Sequence, residues 1–175
     1  MNIILIGYRG SGKSRVGRRL ASRKGSRFVD TDDLIESKEG SISDIVKSHG
    51  WDYFRAIEKK TIEKISREDN LVVALGGGAV LDADNIVNLE RNGLIIWLKA
   101  DPEVLRKRMK EDRRTSVSRP TLTGKGTIEE LEDVMAYRDP FYEKAGKIQL
   151  DTSSLGVEAV VEKIITVLDE TMREI

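Results

Sequence analysis

Cysteine is absent from the sequence, which excludes a disulfide framework and a thiolate zinc site and favours a reducing compartment. Charge of one sign is not in excess either. The 30 Lys and Arg balance the 30 Asp and Glu, so no net field draws the chain to nucleic acid or to an anionic membrane, and small molecules are the expected partners. No apolar stretch approaches the roughly 18 residues of a membrane span. Met1 to Ile6 is too short for a signal-peptide core, so a cytoplasmic location is expected. Histidine occurs once, as His49 before Gly50 at an expected helix end, where a surface cation is the default and no catalytic role is assigned. Aromatic residues make up 5% of the chain; Trp51, Trp97 and the tyrosines show no basic interleaving and read as packing rather than as stacking platforms. A chain of 175 residues suits one domain, residues 1–175, with one core. A monomer is expected.

Apolar, mostly β-branched or Leu-rich runs are present at Ile3 to Ile6, Leu71 to Leu75 and Leu94 to Leu98, with shorter candidates at Arg27 to Val29 and Lys147 to Leu150. Continuous rather than alternating apolarity indicates strands buried on both faces, and helical patterns between the runs supply crossovers. The fold class is therefore α/β: three layers, α/β/α, around a five-stranded parallel sheet. Ligands of such sheets bind at the carboxyl ends of the strands, and four runs end at Gly7, Asp30, Gly76 and Asp101. Helix starts are signalled by Ser41 before Asp44, by Thr127 before Glu130 and by Asp101 followed by Pro102. Two segments fall outside the minimal sheet: a helical insertion over about residues 32–66, and a polar run over residues 111–126 that reads as a lid.

The most specific pattern is Gly7 to Ser14, GYRGSGKS, directly after the first apolar run. A strand ending at Gly7 and a helix starting near Gly12 leave a loop whose N–H groups, from Gly10, Ser11 and Gly12 onward, turn inward around an anion. Lys13 then reaches phosphate oxygens and the Ser14 hydroxyl is a hard oxygen for Mg²⁺. After the second run, Asp30-Thr31-Asp32-Asp33 places like charges together where the chain leaves the sheet. Asp30 suits a metal shell and Asp32 an incoming hydroxyl, with a helix cap at Asp33 as a coexisting role. In Phe54-Arg55-Ala56-Ile57-Glu58, the apolar positions Phe54, Ile57, Thr61 and Ile65 define an inner helix face, and Glu58 at i+3 can orient Arg55; an ordinary surface ion pair has the same spacing.

Gly76-Gly77-Gly78 follows the third run. It implies a close approach to the backbone, a positive φ or a plain turn. The polar run carries Arg113, Arg114, Arg119 and Lys125, one of which could close over phosphates. Beyond it, Leu131, Val134 and Arg138 share a stripe, with Pro140 expected to break the helix; the Arg138 cation needs an anion, from the protein or from a ligand.

Taken together, GYRGSGKS, FVDTDDLIE, FRAIE, LGGG, SRPTL, YRDPFYEKA and LDT, in this order over about Asn2 to Thr152, resemble the shikimate kinases, in the nucleoside-monophosphate-kinase-like group of P-loop folds. The resemblance implies ATP-dependent phosphorylation of the shikimate 3-hydroxyl, with Mg²⁺, in aromatic amino-acid biosynthesis. It implies nucleotide contact over Gly10, Ser11, Gly12, Lys13, Ser14 and Arg15, from Arg108, with Arg106 as the alternative, against adenine and from Arg119 on the lid; catalytic roles for Lys13, Asp32 and Arg119; and metal support from Ser14 and Asp30. Substrate contact falls to Asp32, Arg55, Gly76, Gly77, Gly78 and Arg138. Two departures stand out: the usual RPLL reads Arg119-Pro120-Thr121-Leu122, and the loop after Leu150 reads Asp151-Thr152-Ser153-Ser154 where relatives often place Arg or Pro. A gluconate-type kinase and a nucleotide-switch module are the alternatives. FRAIE and RDPFY argue against the first, and the lack of an NKxD base-reading motif argues against a guanine switch.

Overall fold

In the computed structural model, which describes residues 1–112, 126 and 128–173, the five apolar runs form one parallel sheet: β1 (Asn2–Ile6), β2 (Arg27–Asp30), β3 (Leu71–Ala74), β4 (Gly93–Lys99) and β5 (Ile148–Asp151). The order is β2-β3-β1-β4-β5, with Ile3 opposite Val72 and Leu94 in the two central ladders. The continuous apolarity has the expected cause. On β1, Ile4 and Ile6 join one core cluster while Ile3 and Leu5 join the other, so both faces of the strand are buried.

Helices α1 (Lys13–Lys24) and α8 (Val157–Arg173) cover one face through Val16, Leu20, Val161 and Ile164. The other face carries α4 (Trp51–Ile65), α5 (Ala83–Glu90) and α7 (Leu131–Ala145) through Ile62, Leu89 and Tyr142. The expected helical insertion consists of α2 (Thr31–Glu39), α3 (Ile42–His49) and α4, closed by a satellite cluster of Ile35, Ile42, Ile45 and Phe54. Helix α6 (Pro102–Glu111) leads into the polar run. Ser41 caps α3 by accepting the Asp44 N–H, and Pro102 opens α6, as their patterns predict.

Three local expectations are corrected. The cap of α2 is Asp30, not Asp33: its carboxylate accepts the Asp32 and Asp33 N–H groups, because it is the last extended residue before the helix. The inner face of α4 runs Phe54, Glu58, Ile62 and Ile65, so Thr61 gives way to Ile62 and a carboxylate sits on the buried stripe. Pro140 does not end its helix. α7 continues to Ala145, where burying Tyr142 and Ala145 in the core offsets a proline cost of roughly 3 kcal/mol. That helix begins at Leu131 behind a turn in which the Glu130 N–H donates to the Gly126 carbonyl; Thr127, the expected cap, lies outside the described residues. Arg113, Arg114, Arg119, Pro120 and Lys125 lie outside them as well.

Candidate active site

The loop after β1 turns at Gly7, Gly10 and Gly12, all at positive φ (143°, 82° and 98°), a backbone that L side chains rarely adopt. It wraps one end of a cavity of about 400 Å³ above the carboxyl ends of the strands. Lys13 Nζ donates back to the Gly7 and Tyr8 carbonyls at 2.7 and 3.0 Å, which holds the ammonium across the mouth of the loop. Ser14 Oγ donates to Asp30 Oδ2 at 2.6 Å. The other oxygen of Asp30 caps α2, so one buried carboxylate joins the phosphate loop to the helix that carries Asp32. Arg15 is exposed at the rim, and Ser11 is buried with no hydrogen-bond partner for its hydroxyl among the described residues.

At the other end of the cavity the three glycines make room for side chains rather than for a special turn. A methyl on Gly76 would lie 2.6 Å from Asp32 Oδ1 and 2.8 Å from Glu58 Oε1; on Gly77, 3.3 Å from Arg138 Nη1; and on Gly78, 2.7 Å from Arg55 Cζ. The positive-φ alternative does not apply to these three, which are absent from the left-handed glycines. Four functional side chains from α2, α4 and α7 therefore converge on a stretch that offers only backbone.

Arg55 Nη1 donates to Glu58 Oε2 at 2.6 Å, and its guanidinium also lies over the Trp51 and Phe54 rings, 5.4 and 5.2 Å from their centroids. The surface-pair reading fails because Glu58 is 1% exposed. Burial pushes the Glu58 carboxyl up to about 7 against the pull of Arg55, with nearby Asp32 adding to the rise. Its Oε1 has no hydrogen-bond partner among the described residues. Arg138 is buried too, on the face of α7 that looks into the cavity.

Arg108 Nη2 donates to the Thr152 carbonyl at 2.7 Å and Nη1 to Thr152 Oγ1 at 3.1 Å, so this arginine lies beside the phosphate loop. Arg106 instead pairs with Glu103 and Glu132 on the surface. Apart from Arg106, and from Arg113, Arg114, Arg119 and Lys125, which lie outside the described residues, every candidate binding or catalytic residue read from the sequence lines this one cavity. Sequence reasoning missed Thr31, whose Oγ1 accepts the Gly76 N–H at 2.9 Å, together with Thr152 and Tyr142. Extending the Arg138 stripe one turn past Pro140 would have reached Tyr142. Thr152 carried only the hint of following a strand at the ligand end.

A cavity with a phosphate loop at one end and two arginines around a glycine turn at the other is what a kinase for an anionic acceptor needs. The family model described as shikimate kinase matches residues 9–169. The chain belongs to the shikimate kinase family. It is 39% identical over 165 residues to the shikimate kinase of Caldanaerobacter subterraneus subsp. tengcongensis, covering 94% of each chain. With shikimate kinase 2 of Yersinia enterocolitica the identity is 39% over 173 residues and 98% of each chain. Among solved structures, shikimate kinase from Acinetobacter baumannii in complex with shikimate superposes with a TM-score of 0.89 at 31% identity, covering 97% of this chain and 93% of that one.

Proposed function

We propose that this kinase transfers the γ-phosphoryl group of ATP to the 3-hydroxyl of shikimate, yielding ADP and 3-phosphoshikimate. The observation that carries this reading is one cavity in which a phosphate loop faces Arg55, Arg138 and the three glycines. The two guanidiniums, brought from helices distant in sequence, suit a carboxylate, while Asp32 and the Gly77 and Gly78 backbone suit ring hydroxyls.

In the reaction a bond forms between the 3-oxygen and the γ-phosphorus as the bond to the β,γ-bridging oxygen breaks, its electron pair leaving with ADP. The hydroxyl proton passes to a carboxylate oxygen of Asp32. Lys13 leaves the Gly7 and Tyr8 carbonyls and meets the β- and γ-phosphates. Ser14 Oγ and Asp30 Oδ2 put two hard oxygens side by side at the loop, a donor set that fits Mg²⁺, which takes few protein ligands and keeps waters and phosphates. When bound, Mg²⁺ neutralises charge on the phosphates. Arg108 lies against the adenine, and Arg119, outside the described residues, closes onto the phosphates with the lid. The same reading takes residues 1–175 as one domain, monomeric and cytoplasmic. Among the described residues no helix is long and apolar enough to cross a membrane.

Coupled ADP release tests the reading with shikimate, gluconate and quinate as acceptors. Shikimate is expected to stimulate turnover far above the other two. Faster turnover with gluconate would replace the acceptor, and ATP turnover indifferent to every sugar acid would replace the kinase by a nucleotide-binding module.

A further inference from the structure

One buried polar group behind the acceptor half of the cavity has no part in the scheme above. Tyr142 is 1% exposed, and its ring stacks on Trp97 with centroids 5.6 Å apart. Packing of that kind asks only for a phenyl ring. The hydroxyl nevertheless donates to the Gly77 carbonyl at 2.6 Å, across 65 residues of sequence, and the Arg138 guanidinium, one turn earlier on α7, lies close enough to act on its charge.

We propose that Tyr142 is a positioning residue for the acceptor: its phenol ties the Gly77 carbonyl to the Arg138 guanidinium and so fixes, relative to each other, two groups that hold the substrate. The inference rests on the reading of the acceptor site given above. A trans peptide is planar, so anchoring the Gly77 carbonyl toward α7 directs the Gly78 N–H to the opposite side of the same plane. A single hydroxyl thereby orients a backbone donor of the glycine turn. The same phenol oxygen lies near the Arg138 guanidinium. Being neutral, it sets the direction of the guanidinium without cancelling the charge that an acceptor carboxylate meets, whereas Arg55 is held by the carboxylate of Glu58. Burial raises the phenol above its ordinary range, so it stays protonated and remains a donor at every working pH. A methyl on Gly77 would lie 3.4 Å from the phenol oxygen and 3.3 Å from Arg138 Nη1, so both side chains close on the same glycine.

The test is Tyr142→Phe, which keeps the ring and removes one oxygen. Shikimate-dependent ADP release by the unaltered chain is measured first; its absence would remove the function proposed above, not this inference alone. Given that activity, Tyr142→Phe is expected to raise KM for shikimate by about fivefold to tenfold, the scale of one buried hydrogen bond, and to leave KM for ATP within about twofold. In the Tyr142→Phe/Arg138→Lys pair the penalties should fall short of multiplying, since both changes disturb one contact. An unmoved KM for shikimate, an equal rise in both KM values, or fully multiplicative penalties would each overturn the proposal. So would a Tyr142→Phe chain that fails to fold, because the hydroxyl would then serve the core rather than the site.

Discussion

Substituting Gly78 by alanine separates the acceptor site from the fold. The residue sits at φ −96°, ψ −5°, a turn conformation open to L residues and outside the left-handed region, so the backbone does not require glycine. The added methyl would meet Arg55 Cζ at 2.7 Å and Nη1 at 2.9 Å, closer than carbon tolerates. Only the guanidinium can yield, since it ends a flexible side chain. It must then leave the seat formed by Glu58 and the Trp51 and Phe54 rings. A charge-assisted contact to the acceptor is worth roughly 1.5–3 kcal/mol, so kcat/KM for shikimate should fall about tenfold to a hundredfold. KM for ATP and the melting temperature should stay near the unaltered values. Coupled ADP release with each substrate varied in turn, beside a thermal melt by circular dichroism, reads all three quantities. Gly77→Ala is the graded control, because its methyl would stand 3.3 Å from Arg138 and 3.4 Å from Tyr142, where small shifts suffice. Unchanged shikimate kinetics in Gly78→Ala would refute the assignment of Arg55 to the acceptor.

Lys13→Ala should abolish transfer with an unchanged circular dichroism spectrum, since the side chain is partly exposed at the cavity and donates to the Gly7 and Tyr8 carbonyls of a loop; measurable turnover would sink its role. Thr152→Val removes the hydroxyl that receives Arg108 but leaves the carbonyl contact of 2.7 Å. KM for ATP should rise by about threefold to tenfold with KM for shikimate unmoved, and the opposite pattern would detach Arg108 from the nucleotide. Glu58 makes stability depend on pH. Its carboxyl is raised from 4.5 to about 7, so between those values the folded chain holds a proton that the unfolded chain has released, and stability falls as pH rises through this window. The contribution is about 3 kcal/mol in all, from roughly 1.4 kcal/mol per pH unit. Urea melts at pH 5 and pH 8 measure it, and a slope equally steep in Glu58→Gln would assign it to another group.

The phosphate loop was legible in the sequence because its determinants are local: an apolar strand, glycines where φ must be positive, and a helix start, all within Asn2 to Ser14. The five strands were legible for a similar reason, since burial on both faces leaves continuous apolar runs, and the parallel sheet follows from the helices between them. Asp30, Asp32 and the glycines could be placed at the ligand end because strand ends are local signals too. The tertiary structure decided the rest. On α4 a carboxylate among apolar positions reads as a surface residue, and only packing against Asp32, Arg55 and the Gly76 backbone buries Glu58 and raises its proton affinity. Periodicity puts a proline at the end of a helix, yet the core contacts of Tyr142 and Ala145 carry α7 through Pro140. The partners of Tyr142 and Thr152 show the limit most plainly. Gly77 lies 65 residues from the first and Arg108 lies 44 from the second. Hydrophobic period and capping specify which residues form an element, but which polar atom one element presents to another is chosen by how the layers close, and the sequence carries no local trace of that choice.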